Sequence, residues 1–422
     1  MSTTAESHLM RNTNFRWLLG GGLVSMLGDQ FSMLALPWLV LSLTGDSLSL
    51  GIAVALMGAP RAVLILLGGT VADRHSPRRV LLVSKLANAA ILLALAGLLL
   101  LLDQASLALA YAAALALGIA SAFGIPAGTA ILPQAVPAQS LQAANSLQMG
   151  ARQLSLLAGP LLAALVLGTH DGARHTGMAA LAAAFAIDAL TFLFSAWTLR
   201  QVSLRPLAVA AAQGMWRDMA AGLAMVWRDI PLRSCYVYWA VVAFFVMGPL
   251  QVALPVLASE RLHGAAALGV LMGAHGAGTL AGMLASSLGG AWLRRRFGAT
   301  LLLVDAVVGL LLMALGQIGT AWQGAALLAV TGMLGGYVQV AIFTWIQRRV
   351  APAMLGRAMA LFMGIFLGLA PLSAAATGAL LRHLSVGELF CAGGALLLAA
   401  AVAAILWTDI PRIGASDYAV QP

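Results

Sequence analysis

Four ionisable side chains lie inside stretches of the chain that are otherwise almost entirely apolar. They are Asp29, Arg61, Asp188 and His275. A carboxylate or an imidazole in such surroundings can bind and release a proton, and an arginine beside a carboxylate sets its proton affinity. Because an ionised group is costly in hydrocarbon unless it is paired or hydrated, we take these four as candidates for proton coupling.

A second concentration of charge lies in the stretch GGTVADRHSPRRVLL. Asp73, Arg74, Arg78 and Arg79 fall within seven residues of a chain in which only 9% of the residues are charged. A carboxylate beside a turn of arginines can form a charge-assisted network and can also face the positive end of a neighbouring helix dipole. The pattern predicts a latch at the end of a helix.

The elements that must position these residues are membrane-spanning helices. The chain has 422 residues, is 61% hydrophobic and has a mean hydropathy of +0.95, far from the balance of a soluble protein. A bilayer core requires roughly 20 apolar residues per helix, and about twelve such runs occur. No run alternates like a strand of an outer-membrane barrel. The predicted fold class is therefore an all-α integral membrane protein with twelve transmembrane helices.

The arginines predict the orientation, because cytoplasmic loops accumulate them. With the N-terminus inside, nearly all of them fall on the cytoplasmic side, and only Arg174, Arg261 and Arg382 lie outside. Both termini are predicted to be cytoplasmic, which places the chain in a bacterial cytoplasmic (inner) membrane as a multi-pass protein. Nucleic acid is excluded as a partner, since the arginines are scattered over short turns and form no basic face.

The longest polar segment divides the spans six and six. We predict an N-terminal six-helix bundle at 1–199, a cytoplasmic linker at 200–234 and a C-terminal six-helix bundle at 235–422. Within the linker, Met215, Met219, Leu223 and Val226 recur at helical spacing, which predicts an amphipathic helix on the membrane surface.

An internal repeat supports this division. GGTVADRHSPRR after span two has a counterpart in GGAWLRRRFG after span eight, and VPAQSLQAA from Val136 echoes VAPAMLGRA from Val350. Two homologous halves related by an axis along the membrane normal are typical of rocking transporters.

These residues resemble the major facilitator superfamily. Gly69, Asp73 and the basic residues that follow are similar to its loop motif, G-x-x-x-D-R with further basic residues. Three further stretches, LGDQFSMLALPWLVLSLTGDSLSLG, FGIPAGTAILPQAVPAQSLQAANSL and AIDALTFLFSA, resemble the branch that contains the enterobactin exporter and macrolide efflux proteins.

The resemblance implies two pseudo-symmetric six-helix bundles and roles for further residues. In the family the motif carboxylate contacts the start of span eleven, so Asp73 and Arg357 are implied to meet in a cytoplasmic gate. Spans seven and ten face the cavity in this superfamily, which makes Gln251, Tyr337 and Gln339 candidate substrate contacts.

Other interpretations of the candidate residues stay open. Spans one and two are antiparallel and joined by a short turn, so Asp29 and Arg61 can lie at similar depth, either as a proton-coupling pair or as a permanent structural ion pair. Asp188 is as compatible with helix packing as with coupling, and His275 with a hydrogen-bonded core histidine. The three motif arginines can also serve orientation alone.

Three classes of function fit the sequence. The first is secondary-active export of a small amphipathic or hydrophobic molecule, such as a drug, a siderophore or another metabolite, by alternating access and proton antiport. The second is an uncoupled facilitator or a lysophospholipid flippase of the same fold. The third is an enzyme or receptor on a membrane scaffold.

The third class has little support. Lys85 is the only lysine and is followed by Leu86, so no G-K-[ST] phosphate loop exists. The chain offers no large soluble domain and no spacing for a metal site. We therefore predict a transporter that is no enzyme and needs no cofactor or metal, a monomer whose partners are its small-molecule substrate, protons and membrane lipids.

Overall fold

Twelve helices of the protein are long and apolar enough to cross a membrane, which confirms the predicted number. The computed structural model describes residues 9–101, 106–168, 177–204, 215–262, 264–288 and 296–414. Inside its helices, the side chains that lie outside the description are Leu66, Asp73, Ala138, residues 215–219, Pro352 and Ala353. Every described secondary-structure element is helical.

The first of two compact units comprises Met1–Ala211 and His263–Gly273. Its spanning helices are α1 (Thr13–Thr44), α2 (Ser47–Arg74), α3 (Pro77–Leu101), α4 (Leu107–Ala135), α5 (Leu141–Leu167) and α6 (Met178–Arg200).

The second unit comprises Ala212–Leu262 and Ala274–Pro422. It begins with α7 (Met215–Arg228), and its first span runs through α8 (Ile230–Gly248), a π-helical turn (Pro249–Ala253) and α9 (Leu254–Glu260). The remaining spans are α10 (Ala265–Leu288), whose first residues group with the first unit, α11 (Phe297–Leu315), α12 (Ala321–Arg349), α13 (Pro352–Leu380) and α14 (Val386–Trp407).

Polar residues set the ends of the helices. Gly45 ends α1 in the left-handed conformation, with φ of +60°, and its N–H donates to the Leu41 carbonyl at 2.8 Å. The next residue, Asp46, caps α2 by accepting a hydrogen bond from the Ser49 N–H at 3.0 Å. Two residues therefore suffice to reverse the chain between the first two spans.

The two units repeat the same helix pairings. In the first unit α1 packs against α5 and α6, and α3 packs against α6. In the second unit the corresponding contacts join α8 to α13 and α14, and α11 to α14. The pairing agrees with the pseudo-symmetric halves that the sequence repeat predicts.

Helix α7 covers the stretch for which the spacing of apolar residues predicts an amphipathic helix. Val226 is buried, with 3% of its surface exposed, whereas Leu223 is 52% exposed. On the packed side, Gly222 lies against the Arg357 and Leu361 side chains of α13. Helix α7 thus packs on α13 within the second unit and leaves an apolar edge uncovered.

One bidentate ion pair joins the ends of two helices in the second unit. Asp229 caps α8 by accepting from the Leu232 N–H at 3.1 Å, and its carboxylate also receives two bonds of 2.9 Å from Arg349 at the end of α12. Arg349 further lies 5.7 Å from the Trp345 ring. The charge-assisted pair fixes where these two spans begin and end.

Glycines allow α10 and α12 to pack at close range. A Cβ atom added to Gly278, Gly282, Gly332 or Gly336 would approach a backbone carbonyl carbon of the facing helix to between 2.7 and 3.0 Å. Each helix therefore contributes a G-x-x-x-G pair to the contact, the arrangement by which membrane helices approach without large side chains between them.

The α10–α12 contact generates a test with a matched control. Gly336→Ala should lower the apparent melting temperature in detergent, because its methyl group would overlap the Thr279 carbonyl; overpacking of this kind costs about 1–3 kcal/mol. Gly335→Ala should leave the melting temperature unchanged or slightly higher, because no atom lies within 4 Å of its added Cβ. Equal effects of the two substitutions would show that the packing is not this tight.

Candidate functional site

A cluster of four ionisable side chains lies inside the first unit. Asp29 on α1 interacts electrostatically with Lys85 on α3 and, more weakly, with Arg61 on α2. Asp188 on α6 interacts with both Asp29 and Lys85. The structure therefore brings together three of the predicted residues, Asp29, Arg61 and Asp188, and adds Lys85 to them.

The cluster forms because α1 and α6 approach through glycine. A Cβ atom on Gly28 would overlap the Thr191 hydroxyl and would lie 2.7 Å from Asp188 Oδ1. Gly21, two turns earlier, faces Thr198 in the same way. This close, antiparallel contact places Asp188 beside the turn of α1 that carries Asp29.

Hydroxyl groups hold the Asp188 carboxylate, of which only 1% is exposed. Ser32 of α1 donates a short hydrogen bond to Oδ2, whereas the Thr191 hydroxyl donates to the Asp188 backbone carbonyl at 2.7 Å and lies 3.3 Å from Oδ1. A buried carboxylate needs such donors, because an unsatisfied charged group costs several kcal/mol. Asp188 is thus fixed in place by both of the helices between which it lies.

Lys85 contacts both of the helices that carry the carboxylates. Its ammonium donates to Ser25 Oγ of α1 at 3.0 Å and lies 5.3 Å from the centroid of the Phe192 ring of α6. Asp29 and Asp188 both lie within electrostatic range of it. The sequence interpretation used Lys85 only to exclude a phosphate loop. A lone lysine in the apolar run LLVSKLANAA indicates a functional site for the same reason as Asp29 in span one, because ionisable residues are rare within membrane helices.

Arg61 is the second cation within electrostatic range of Asp29. Its Nε has no hydrogen-bond partner among the described residues. The pairing of Asp29 with Arg61 stays a prediction, and Lys85 is a further cation near that carboxylate.

A cavity of about 440 Å³ reaches the cluster. Asp29 and Lys85 form part of its wall, which also carries amides and a further cation from α3 and α5: Asn88, Asn145, Gln148 and Arg152. Apolar groups, among them Met149 and Phe192, complete the lining. A molecule with both apolar and hydrogen-bonding parts fits a wall of this composition.

His275 does not join this cluster. It lies on α10 in the second unit, where its backbone carbonyl faces Gly332 of α12. Its Nδ1 is buried without a hydrogen-bond partner among the described residues.

The residues of the loop motif are placed separately. Arg78 donates to the Arg200 carbonyl at 2.5 Å and so satisfies the C-terminal end of α6. Gly69 has open space where a side chain would be, and Arg74 and Arg79 are exposed. The side chain of Asp73 lies outside the described residues.

The remaining candidates belong to the second unit. Arg357 packs on Gly222 of α7, as described above. Gln251 lies in the π-helical turn, which Ser373 stabilises by accepting from the Gly248 N–H at 2.8 Å and donating a short hydrogen bond to the Phe244 carbonyl. Single π turns occur frequently at functional sites.

Two of the predicted substrate contacts lie on α12. Tyr337 is half-buried and Gln339 is exposed. Residues two apart on a helix point to different sides, so these two side chains face different surroundings.

Comparisons with known proteins agree on one family. The sequence model of the Major Facilitator Superfamily matches residues 18–374. Over 411 residues, 96% of this chain and 97% of the relative, the sequence is 25% identical to the multidrug efflux pump Tap of Mycolicibacterium fortuitum. Over 362 residues, 83% of this chain and 81% of the relative, it is 26% identical to the enterobactin exporter EntS of Citrobacter koseri.

Solved structures show the same fold at low sequence identity. A D-xylose–proton symporter superposes with a TM-score of 0.72 at 12% identity, covering 98% of this chain and 100% of the symporter. The nucleoside transporter NupG superposes with a TM-score of 0.70 at 13% identity, covering 93% of this chain and 98% of NupG.

The α1–α6 contact makes a prediction about the cluster. Gly28→Ala should reduce the amount of monodisperse protein in size-exclusion chromatography and lower its melting temperature, because the added methyl group overlaps the Thr191 hydroxyl and presses on Asp188. Gly22→Ala is the matched control, since no atom lies within 4 Å of its added Cβ. If both variants behave like the unaltered protein, α1 and α6 do not meet at this distance.

Proposed function

Since this chain belongs to the major facilitator superfamily, we propose that it exports a small amphipathic or hydrophobic molecule by proton-coupled antiport with alternating access. The chain is a multi-pass membrane transporter with efflux pumps among its relatives. The proposal goes further in three respects: the use of protons, the exchange of proton for substrate, and the class of substrate.

One observation carries the proposal: Asp29 forms part of the wall of a cavity and is the member of the charge cluster that has two cations within electrostatic range. A carboxylate in this position is in contact with cavity water and can take a proton from it. Its ionised form is stabilised by Lys85 and Arg61. Asp29 is therefore the proposed coupling residue, with Asp188 and then His275 as the alternatives.

Antiport is proposed because the substrate and the proton would interact with the same Asp29 carboxylate. A cation or a hydrogen-bond donor on the substrate stabilises the ionised carboxylate, whereas a proton removes the charge with which that group interacts. Substrate and proton then bind in opposition at the same residue. Binding of one favours release of the other, which is the requirement for exchange.

The proposed substrate class follows from the cavity wall and from the relatives. Apolar side chains and amides line the same space, which suits an amphipathic molecule that carries hydrogen-bonding groups. The relatives are described as a multidrug efflux pump and an enterobactin exporter. By analogy we propose a drug, a siderophore or another metabolite, moved out of the cell.

The proposal also includes the placement of the chain. Both termini are cytoplasmic in a bacterial inner membrane, with bundles at 1–199 and 235–422, a linker at 200–234 and a monomeric state. The arginines that follow spans two, six, eight and ten support this orientation. Gln251, Tyr337 and Gln339 are proposed substrate contacts from the second bundle.

Asp29→Asn should abolish energised accumulation. In inverted membrane vesicles with an acidic lumen, the unaltered protein should concentrate at least one amphipathic probe from a panel of ethidium, Hoechst 33342 and a fluorescent catechol, and a protonophore should stop it. The asparagine keeps the shape of the side chain and loses the titration. Downhill exchange of the probe across the membrane should persist, because it requires no titrating group.

The control for that experiment is Asp409→Asn, which removes a carboxylate from an exposed pair with Arg412. It should leave accumulation at the level of the unaltered protein. Undiminished, protonophore-sensitive accumulation by Asp29→Asn would move coupling to Asp188 or His275. If transport by the unaltered protein is insensitive to the protonophore, the result would favour the uncoupled facilitator or lysophospholipid flippase.

We further propose that Asp73, Arg74, Arg78, Arg79 and Arg357 form a cytoplasmic gate around Gly69. Asp73 lies at the end of α2. Because the positive-inside rule depends on Lys and Arg, an aspartate there is not explained by membrane orientation, which supports a gating role. Its carboxylate is suited to the positive end of a neighbouring helix.

Asp73→Asn should open this gate more often without unfolding the protein. With a single cysteine at position 69 in a background without Cys235 and Cys391, labelling by a membrane-impermeant maleimide from the cytoplasmic side should accelerate by roughly threefold or more. Ser76→Ala, in the exposed turn just beyond, is the matched control. An unchanged labelling rate at normal expression would leave the motif with an orienting role only.

A further inference from the structure

The cavity of the first unit carries an excess of positive charge. Among the described residues that line it, three are charged in their ordinary forms: Asp29, Lys85 and Arg152. One negative and two positive charges therefore face the same space, a net charge of +1. The rest of the wall is apolar or uncharged. A charge at the edge of a narrow space with such walls attracts an opposite charge more strongly than it would in open water.

The excess belongs to Arg152. The Lys85 ammonium donates to Ser25, one helical turn before Asp29 on α1, and lies within electrostatic range of that carboxylate, so these two charges offset each other. Arg152 is exposed and forms no hydrogen bond or ion pair with any other residue that the structure describes. Its guanidinium is therefore available to a molecule in the cavity.

Arg152 and Asp29 lie too far apart along the bundle to pair with each other. Helices α1 and α5 are the first and fifth spans, so they run in the same direction. Gly159 of α5 packs against the Gln30 side chain of α1, next to Asp29. Arg152 precedes Gly159 by seven residues, which is about two turns or roughly 10 Å. The interval between the two charged groups thus has the length of a small molecule.

One face of α5 supplies donors beside the guanidinium. Asn145, Gln148, Met149 and Arg152 recur at intervals of three and four residues, and all four line the cavity. The Asn145 amide donates to the Leu141 carbonyl of its own helix at 3.0 Å. Gln148, one turn before Arg152, forms no hydrogen bond with another described residue. A guanidinium and a free amide one turn apart are suited to hold a single anionic group.

We propose that this cavity takes acidic amphipathic molecules, whose anionic group binds Arg152 and Gln148 and whose opposite end reaches Asp29. The inference rests on the proposed function and narrows its substrate class. The anion is a carboxylate, sulfonate or phosphate, because a planar guanidinium forms two parallel hydrogen bonds with such groups. The apolar part of the molecule contacts Met149 and Phe192. A hydroxyl or an N–H at its far end donates to the Asp29 carboxylate.

Equilibrium binding to the purified protein tests this without transport. The probe is dansylaminooctanoic acid, which has a carboxylate and a sulfonamide N–H at the two ends of an apolar chain and becomes more fluorescent in an apolar site. Its methyl ester is the same molecule without the charge. The unaltered protein should bind the acid roughly tenfold more tightly than the ester, because the acid forms charge-assisted hydrogen bonds.

Substitutions at Arg152 should change the preference for charge and not the affinity for the apolar chain. Arg152→Gln should weaken binding of the acid by roughly tenfold and binding of the ester by less than about twofold. Arg152→Lys should keep the acid ahead of the ester, since the charge remains. Arg152→Glu should reverse the preference, so that the corresponding dansylated amine binds more tightly than the acid. These variants are expected to fold, because the side chain is exposed.

The matched control is Arg412→Gln, which removes a cation from an exposed pair outside the cavity. It should leave the affinities for the acid and the ester unchanged. A loss of acid binding in this variant equal to that in Arg152→Gln would show a general effect of net charge and would overturn the assignment to the cavity.

Two further results would also contradict the proposal. One is the absence of saturable binding of the acid, or equal affinity of the unaltered protein for the acid and the ester. The other is an equal loss of both ligands in Arg152→Gln, which would mean that Arg152 shapes the cavity without recognising charge. Failure of the proposed function is a separate result: binding would discriminate as described, yet vesicles of the unaltered protein would accumulate no acid in a protonophore-sensitive manner.

Discussion

The cost of placing charge in hydrocarbon governs this structure. Each ionised side chain in a spanning helix must find an opposite charge, a set of donors or water. In the first unit Asp29 and Lys85 line one cavity and lie within electrostatic range of each other, and Asp188 accepts a hydrogen bond from Ser32 of α1. The glycine at position 28 is required for the same reason, because it lets α1 approach the carboxylate on α6.

The internal repeat relates the two units, but Asp29 and Lys85 of the first unit have no charged counterparts in the second. Aligning LALPW in the first span with VALPV in the seventh places Met247 opposite Asp29, and aligning LLVSK in α3 with LLVDA in α11 places Ala306 opposite Lys85. The helix pairings of the two units nevertheless correspond. The scaffold is thus set by apolar packing, which both halves share, whereas the positions of the buried ionisable residues differ between them.

Much of this arrangement is readable in the sequence. Hydropathy predicts the twelve helices, because in lipid only a helix or a closed barrel satisfies its backbone hydrogen bonds, and the runs do not alternate like barrel strands. Asp29, Arg61 and Asp188 are conspicuous because charge in an apolar run is rare. Lys85 carries the same signal, but its partners lie on α1 and α6, and no spacing along α3 reveals them. The π-helical turn that contains Gln251 likewise depends on the hydroxyl of Ser373, which belongs to another span.

The second unit meets the same cost by other means. One of its charged pairs, Asp229 with Arg349, joins two helix ends, where both side chains keep part of their surface exposed. Deeper in the unit, the buried Asp305 has the Tyr238 hydroxyl as its polar neighbour. Asp305 thus has a neutral neighbour, whereas Asp29 lines a cavity and has two cations within electrostatic range. That difference is the physical reason for proposing that the coupling residue lies in the first unit.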